Sequence, residues 1–272
     1  MKIGVFDSGY GGLTVLEAIR RRLPQYDYIY LGDNARNPYG PRSFEVVYEF
    51  TLQSVKKLFS LGAELVILGC NTASAKALRN IQQKDLPVIA PEKRVLGIIR
   101  PSAEVIGNYT KSRHVGIFGT QGTVDSDSYR IEIEHQWPDI IVAQQACPMW
   151  VPLVEYGEYD KPGADYFVQK YVKELMAKLP DIDAIILACT HYPMLIPKIK
   201  KYLPEGVTLL GQGDIVAEKL ADYLTRHPEM ECRISKGGTL NLYTTESTDK
   251  FRKMSKMFFE GDPDVKRINI EN

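Results

Sequence analysis

The stretch Ile3-Gly-Val-Phe-Asp-Ser-Gly9 is a short apolar run followed by a polar turn, and a similar stretch, Val115-Gly-Ile-Phe-Gly-Thr-Gln121, comes 112 residues later. A second pair behaves alike: Val66-Ile-Leu-Gly-Cys-Asn-Thr72 resembles Ile185-Ile-Leu-Ala-Cys-Thr-His191, which lies 119 residues further along. Two strand-and-loop motifs that recur at similar offsets indicate two related halves. Each half then has one cysteine where a predicted strand ends.

Apolar segments of strand length alternate with segments of helical periodicity along the chain. Leu65–Leu68 and Ala184–Ala188 are typical of buried strands, whereas Leu13–Arg22, Phe44–Phe59 and Asp125–Gln136 are typical of helices. The alternation predicts an α/β fold of two similar domains with mostly parallel sheets. Because ligands of open α/β sheets bind at the carboxyl edge of the strands, we expect the active site in the cleft between the domains.

The segment after about residue 210 lies beyond both halves of the repeat. No low-complexity tract or Ser/Gly-rich linker separates the halves. We therefore expect a discontinuous first domain, residues 1–97 plus 211–272, and a second domain of residues 98–210.

The composition is that of an ordinary globular protein. The 272 residues include 34 Lys and Arg against 34 Asp and Glu, and 44% are hydrophobic. The balanced charge gives no electrostatic reason to expect a nucleic acid or an anionic membrane as partner. No apolar run approaches the roughly 18 residues of a membrane span. We expect no signal peptide, because the first apolar run reaches the acid Asp7 within one short strand. Four cysteines without a CxxC pair indicate reduced thiols, so we expect a cytoplasmic protein.

Cys70 is the first candidate for chemistry. It follows a predicted strand and a glycine, and a helix is predicted to start just after it. A helix N-terminus favours a thiolate, and the neighbouring Asn71 and Thr72 add polar groups. The alternative is a small buried residue that fills the strand end, because free cysteines are often part of the core.

Cys189 is the second candidate, with His191 two residues further on as a possible proton partner. A core thiol and a capping histidine are the alternative explanation. The repeat favours a functional pair, because two structural cysteines need not recur at equivalent places. Cys147 and Cys232 lack such surroundings and are interpreted as incidental.

Three further segments have a structural explanation as well as a functional one. Asp7 in Asp7-Ser-Gly-Tyr-Gly-Gly12 could hold an ammonium or assist a thiol, or it could cap the next helix. Asp33-Asn-Ala-Arg-Asn-Pro-Tyr-Gly40 has the composition of a plain turn, with ligand binding as the less favoured reading. Glu155 could be only an acid at a helix end.

Two opposed thiols suit a racemase. Such an enzyme removes a proton from one face of a carbon and returns a proton on the other face. A thiolate can act as the base while a thiol acts as the acid, and the roles reverse for the other enantiomer. A zinc site is not expected, because the Cys and His spacing is wrong. A Cys–His hydrolase built from Cys189 and His191 would leave Cys70 without a role.

The chain resembles the glutamate racemases, the cofactor-independent enzymes that make D-glutamate for peptidoglycan. The matching motifs extend over nearly its whole length. They are Gly4-Val-Phe-Asp-Ser-Gly9, Gly11-Gly-Leu-Thr-Val15, Pro38-Tyr-Gly40, Gly69-Cys-Asn-Thr-Ala73, Gly119-Thr-Gln-Gly-Thr-Val124, Ala146-Cys-Pro148, Val151-Pro-Leu-Val-Glu155, Cys189-Thr-His-Tyr-Pro193 and Tyr243-Thr-Thr245.

The resemblance implies that Cys70 and Cys189 are the two catalytic bases, for the D- and the L-enantiomer respectively. It places Asp7 beside the first, and His191 and Glu155 beside the second. It also implies glutamate as a small-molecule substrate, no cofactor and a homodimer. The positions that match substrate contacts are Asp7, Ser8, Tyr39, Gly40, Asn71, Thr72, Thr120, Thr123, Thr190 and His191.

The chain departs from the family pattern in three places. Asn34 and Asn37 stand where Thr and an apolar residue are usual, Ile99-Arg-Pro-Ser102 replaces a Glu-Pro-Gly segment, and Gly211-Gln-Gly-Asp214 replaces an Asp-Ser-Gly-like turn. Three other functions remain open: a racemase for aspartate or another acidic amino acid, an amino-acid-binding protein without activity, and a pyridoxal enzyme.

Overall fold

The computed structural model describes residues 1–259 and 264–270. Contacts within the chain divide it into two compact units, one of residues 1–98 with 213–272 and the other of residues 99–212. Each unit has a parallel sheet with helices, so the predicted α/β class with two similar domains is confirmed.

The first unit has six strands among its described residues, and all their pairings are parallel, in the order β10-β9-β2-β1-β3-β4. The strands are β1 (Lys2–Asp7), β2 (Tyr28–Gly32), β3 (Ala63–Leu68), β4 (Arg94–Gly97), β9 (Leu240–Thr244) and β10 (Val265–Arg267). The central strands β1, β2 and β3 are buried along almost their whole length, which explains their continuous apolar runs.

The second unit has four parallel strands in the order β6-β5-β7-β8. They are β5 (His114–Gly119), β6 (Ile141–Ala146), β7 (Ala184–Ala188) and β8 (Thr208–Leu210). β5 and β7 are the two inner strands, and they are the strands that the repeated motifs predict.

Helices follow the strands in both units. Those of the first unit are α1 (Gly12–Arg22), α2 (Phe44–Ser60), α3 (Asn71–Lys76), α4 (Leu78–Asn80), a π-helical turn (Ile81–Asp85), α5 (Leu86–Ile89), α12 (Gly213–Arg226), α13 (Pro228–Glu231) and α14 (Thr248–Ser255). Those of the second unit are α6 (Ile99–Ile106), α7 (Gln121–Asp125), α8 (Ser128–Gln136), α9 (Trp150–Glu155), α10 (Pro162–Lys178), a 3₁₀ turn (Tyr192–Leu195) and α11 (Ile196–Tyr202).

The long helix α2 shows how local sequence produces one of these elements. Ser43 caps its first turn by accepting a hydrogen bond from the N–H of Val46. Its buried side chains include Val47, Val55 and Leu58, which pack against the sheet of the first unit.

Two predicted helices differ from those observed. The predicted helix Asp125–Gln136 begins only at Ser128, as α8, because Asp125 ends the preceding helix α7 and Asp127 adopts a left-handed conformation (φ +55°) that a continuous helix does not allow. The sequence pattern also predicts a last helix over Thr248–Phe259, whereas the observed helix α14 ends at Ser255. Strand β2, which is rich in tyrosine, is absent from the sequence prediction. No helix among the described residues has the length and apolar character of a membrane span.

Candidate active site

Cys70 lies directly between β3 and α3 and is buried. Its sulfur takes the capping position of the short helix, because the N–H of Ala73 points at Sγ from 3.5 Å. The thiol also lies 3.5 Å from the hydroxyl oxygen of Ser8. The sulfur is therefore held by one main-chain donor and one hydroxyl group, both of which can donate to a thiolate.

Asp7 and Ser8 come at the end of β1, the neighbouring strand. Asp7 is buried, and its Oδ1 accepts a hydrogen bond of 2.8 Å from the N–H of Gly9, so it orders the turn between β1 and α1. Gly12 lies against this carboxylate so closely that an added Cβ would stand 2.4 Å from the Cβ of Asp7. Glycine is thus the residue that allows the helix to approach Asp7.

The remaining candidates of the first unit lie at the same edge of its sheet. Asn71 and Thr72 open α3 and are buried, beside Cys70. Tyr39 and Gly40 lie in the loop that follows β2, and the side chain of Tyr39 is buried. β1 pairs with both β2 and β3, so the loops after these three strands meet at one carboxyl edge.

In the second unit, Cys189 begins a chain of three polar groups. Its Sγ lies 3.9 Å from Nδ1 of His191, and Nε2 of the same ring lies 3.0 Å from Oε1 of Glu155. His191 is buried, and the Glu155 side chain is largely buried. Cys189 directly follows β7, whereas Glu155 is the last residue of α9.

The electrostatics of this chain favour a protonated imidazole. Burial acts to lower the pKa of His191, but the hydrogen bonds to Cys189 and Glu155, together with their charges, outweigh burial and raise the pKa to about 10. His191 therefore carries a positive charge at neutral pH. That charge lies beside the sulfur of Cys189, where it attracts a thiolate.

Three threonines complete the candidates of the second unit. Thr120 caps α7 by accepting a hydrogen bond from the N–H of Thr123, and the two hydroxyl oxygens lie 3.1 Å apart. Thr190 Oγ1 lies 3.5 Å from Nδ1 of His191. Since β5 and β7 are neighbours, these residues and Cys189 share the carboxyl edge of the second sheet.

The other two cysteines lie in different surroundings. Cys147 is fully buried, and burial together with the charge of Cys189 holds the pKa of its thiol well above its usual range. Cys232 is exposed. Within residues 1–259 and 264–270, no group of three or more His, Cys, Asp or Glu side chains could hold a metal ion.

One polar cluster at the first unit's sheet edge is missing from the sequence predictions. Asp33 has no exposed surface and accepts hydrogen bonds from Arg36, Tyr39 and Thr245. The composition of its loop is that of an ordinary turn, and Thr245 is 212 residues away. No local signal joins such distant residues.

Comparisons with known proteins identify relatives of this chain. The model of the family Asp/Glu/Hydantoin racemase matches residues 8–220. A glutamate racemase of Roseobacter denitrificans is 43% identical over 240 residues, which are 85% of this chain and 87% of that protein.

Two solved structures are similar over nearly the whole chain. The glutamate racemase of Francisella tularensis, determined in complex with D-glutamate, has a TM-score of 0.88 and 30% identity, with 99% of this chain and 98% of that chain covered. The glutamate racemase of Thermus thermophilus, determined in complex with β-chloro-D-alanine, has a TM-score of 0.83 and 35% identity, with 99% and 97% covered. The chain belongs to the Asp/Glu racemase family.

Proposed function

We propose that this protein is a glutamate racemase that interconverts L- and D-glutamate with two cysteines and no cofactor, and that it supplies D-glutamate for peptidoglycan. The names of its relatives support glutamate as the substrate. The observation that carries the mechanism is the position of Cys70 and Cys189. Each thiol lies within two residues of the carboxyl end of an inner strand of a parallel sheet, among groups that can stabilise a thiolate.

The reaction removes one proton from Cα and adds another proton to the same carbon. In one direction the thiolate of one cysteine removes the proton from Cα, and the thiol of the other cysteine delivers a proton to the opposite face. Cys189 is the base for L-glutamate and Cys70 the base for D-glutamate, as the family resemblance implies. Afterwards the two thiols have exchanged their protonation states, which prepares the enzyme for the reverse direction.

Beside Cys189, His191 and Glu155 provide the charges that stabilise a thiolate. A protonated His191, held by Glu155 at 3.0 Å, faces the sulfur and stabilises the thiolate that must form before proton removal. The same imidazole can exchange a proton with Cys189, so that the starting protonation state of Cys189 is restored between turnovers.

On the Cys70 side, the neighbours are uncharged donors and one acid. The Ala73 N–H and the Ser8 hydroxyl group stabilise negative charge on Sγ. Asp7 ends the adjacent strand and is placed to balance the substrate ammonium or to assist Cys70. This difference in surroundings means that the two bases need not respond alike to pH.

The other polar residues at the two sheet edges hold the substrate. Glutamate has one ammonium and two carboxylates, and hydroxyl, amide and main-chain N–H groups are suitable partners for them. We assign this role to Ser8, Tyr39, Gly40, Asn71, Thr72, Thr120, Thr123 and Thr190.

Circular dichroism of purified protein mixed with L-glutamate, and separately with D-glutamate, tests the proposal. Without added cofactor, either solution should lose its optical signal as the racemic mixture forms. Aspartate serves as the comparison substrate, and a higher kcat/KM for aspartate would contradict glutamate as the substrate. Tight binding of glutamate without loss of the signal would contradict an enzymatic role.

The resemblance also implies a homodimer, and the cysteine usage predicts a cytoplasmic location; both remain predictions. Light scattering of the purified protein measures the mass in solution, for which two copies of a 30.8 kDa chain are expected. Cell fractionation tests the location.

A further inference from the structure

Asp33 directly follows β2 and brings together donors from separate parts of the first unit. Its carboxylate accepts hydrogen bonds from the hydroxyl group of Tyr39, from Nε of Arg36 at 2.7 Å and from Oγ1 of Thr245 at 3.0 Å. A fully buried aspartate is rare unless it is paired, and here three donors are available. The carboxylate therefore joins the loop after β2 to the segment after β9.

The segment after β9 holds the same loop by further hydrogen bonds. Thr245 accepts from the N–H of Ala35 at 2.9 Å, and its own N–H donates to the carbonyl oxygen of Gly32 at 3.1 Å. Thr244 Oγ1 donates to Oδ1 of Asn34 at 2.8 Å. These bonds give the Tyr243-Thr-Thr245 motif a structural role in the described chain.

The side chain of Tyr39 is buried in the core of the first unit. Its ring packs against Phe6 and Phe50, and its hydroxyl group is taken by Asp33. Burial, followed by the charge of Asp33, holds the pKa of Tyr39 well above its usual range, so the phenol stays neutral. The ring is an anchor, and the main chain is the part of Tyr39 that remains for a ligand.

The consecutive main-chain N–H groups of Tyr39 and Gly40 lie in the segment that the Tyr39 ring anchors. Within residues 1–259 and 264–270, no hydrogen bond occupies the N–H of Tyr39 or of Gly40. Adjacent N–H groups of a turn form a concave site for an anion such as a carboxylate. Their direction depends on where the Tyr39 ring is held.

We propose that Asp33 is a positioning residue for substrate binding. By holding the Tyr39 hydroxyl group in the core, it orients the N–H groups of Tyr39 and Gly40 towards one carboxylate of glutamate. The proposal rests on the proposed function, because it assumes that glutamate binds at this edge. Asp33 itself does not touch the substrate, and its effect passes through the loop.

The variant Tyr39→Phe tests the proposal, because it removes the hydroxyl group and keeps the ring. We expect KM for both enantiomers to rise about ten-fold while kcat changes by less than about two-fold, since a hydrogen bond to a charged group contributes a factor of that size and the reacting thiols are untouched. Thermal unfolding of the variant shows that the protein remains folded.

A matched control is available in the same unit. Tyr26 also donates its hydroxyl group to a carboxylate, Glu231, at 2.8 Å, but it precedes β2 at the opposite end of the strand. Tyr26→Phe removes a comparable hydrogen bond and should leave KM and kcat unchanged.

The double variant separates positioning from general damage. If Asp33 acts through Tyr39, then Asp33→Asn with Tyr39→Phe raises KM no further than Asp33→Asn alone. If the increases in KM of the two single variants multiply in the double variant, the proposal is overturned. Asp33→Asn also leaves Arg36 without its ion pair and could prevent folding, in which case Tyr39→Phe decides alone.

Two outcomes of the single variant are distinct. If the unmodified protein racemises glutamate and Tyr39→Phe leaves KM unchanged, the positioning role is wrong while the proposed function stands. If the unmodified protein changes neither enantiomer, the proposed function fails, and the positioning role fails with it.

Discussion

Nε2 of His191 lies 3.0 Å from Oε1 of Glu155, and the two residues are 36 positions apart in the chain. The carboxylate helps to hold the imidazole in its protonated form beside Cys189. The pair therefore connects the end of α9 to the turn after β7, and it supplies a buried positive charge at a candidate catalytic thiol.

The first prediction concerns the pH dependence of activity. Glu155→Gln removes the charge and should lower the pKa of His191 from about 10, so the loss of kcat/KM at alkaline pH should begin at a lower pH. The measurement is kcat/KM for L-glutamate from pH 6 to about 11. An exposed acid of the same unit, Glu134, provides the control variant Glu134→Gln. Identical pH profiles for the Glu155 variant and the unmodified protein would contradict the role of Glu155.

The second prediction concerns stability, since the same shift is linked to folding. The pKa of His191 is about 10 in the folded chain and about 6.5 when unfolded, so the folded state binds the proton more tightly. This contribution to the free energy of unfolding is fully present below pH 6.5 and is lost as the pH rises through about 10. Urea unfolding at several pH values measures it. Glu155→Gln should weaken this dependence, and an unchanged slope would show that His191 is not its source.

The third prediction concerns the two thiols. Cys70→Ser and Cys189→Ser should each lower kcat about 10³-fold or more, because an alcohol is a far weaker acid than a thiol and general acid–base catalysis contributes factors of about 10² to 10⁴. Cys232→Ser, at an exposed cysteine, is the matched control and should keep full activity. Turnover in deuterated water adds a second measurement, in which the product of the unmodified protein gains deuterium at Cα. Near-normal activity of either the Cys70 or the Cys189 variant would refute the two-base mechanism.

The fourth prediction concerns two of the departures from the family pattern, which meet in the second unit. Nε2 of Gln212 donates to Ser102 Oγ at 2.9 Å and to the hydroxyl oxygen of Tyr129 at 2.6 Å, and all three residues are buried. Gln212→Leu should lower the free energy of unfolding by about 1–3 kcal/mol, because buried polar groups lose a partner. Gln121→Leu, whose amide bonds Asp125 at the surface, is the control. Equal stability of the two variants would show that the cluster contributes little.

Much of the fold follows from local sequence. Continuous apolar runs such as Ile185–Ala188 predict buried parallel strands because both faces of such a sheet are covered. The break between α7 and α8 is harder to predict, since it depends on the backbone conformation of one residue, Asp127. Strand β2 is harder to predict from its apolar pattern, since two of its five residues, Tyr28 and Tyr30, are tyrosines whose burial depends on what packs around them.

Some residues of the candidate site are likewise indicated by local sequence, whereas others are recognised only by their contacts in the structure. The sequence indicates Cys70 and Cys189 through a repeated pattern, and in the structure both lie within two residues of the carboxyl end of an inner strand. Glu155 and Asp33 have no such pattern. Their importance comes from partners elsewhere in the chain, His191 for one and Tyr39 with Thr245 for the other.

Sequence alone determined the α/β class, the duplication and the two strand ends that carry a cysteine, because strand length, apolar runs and turn residues act over a few neighbouring positions. Tertiary structure decided which side chains meet: the acid beside His191, the donors around Asp33, and the glutamine that joins Ser102 to Tyr129. Those contacts depend on the path of the backbone, which brings residues up to 212 positions apart within hydrogen-bonding distance.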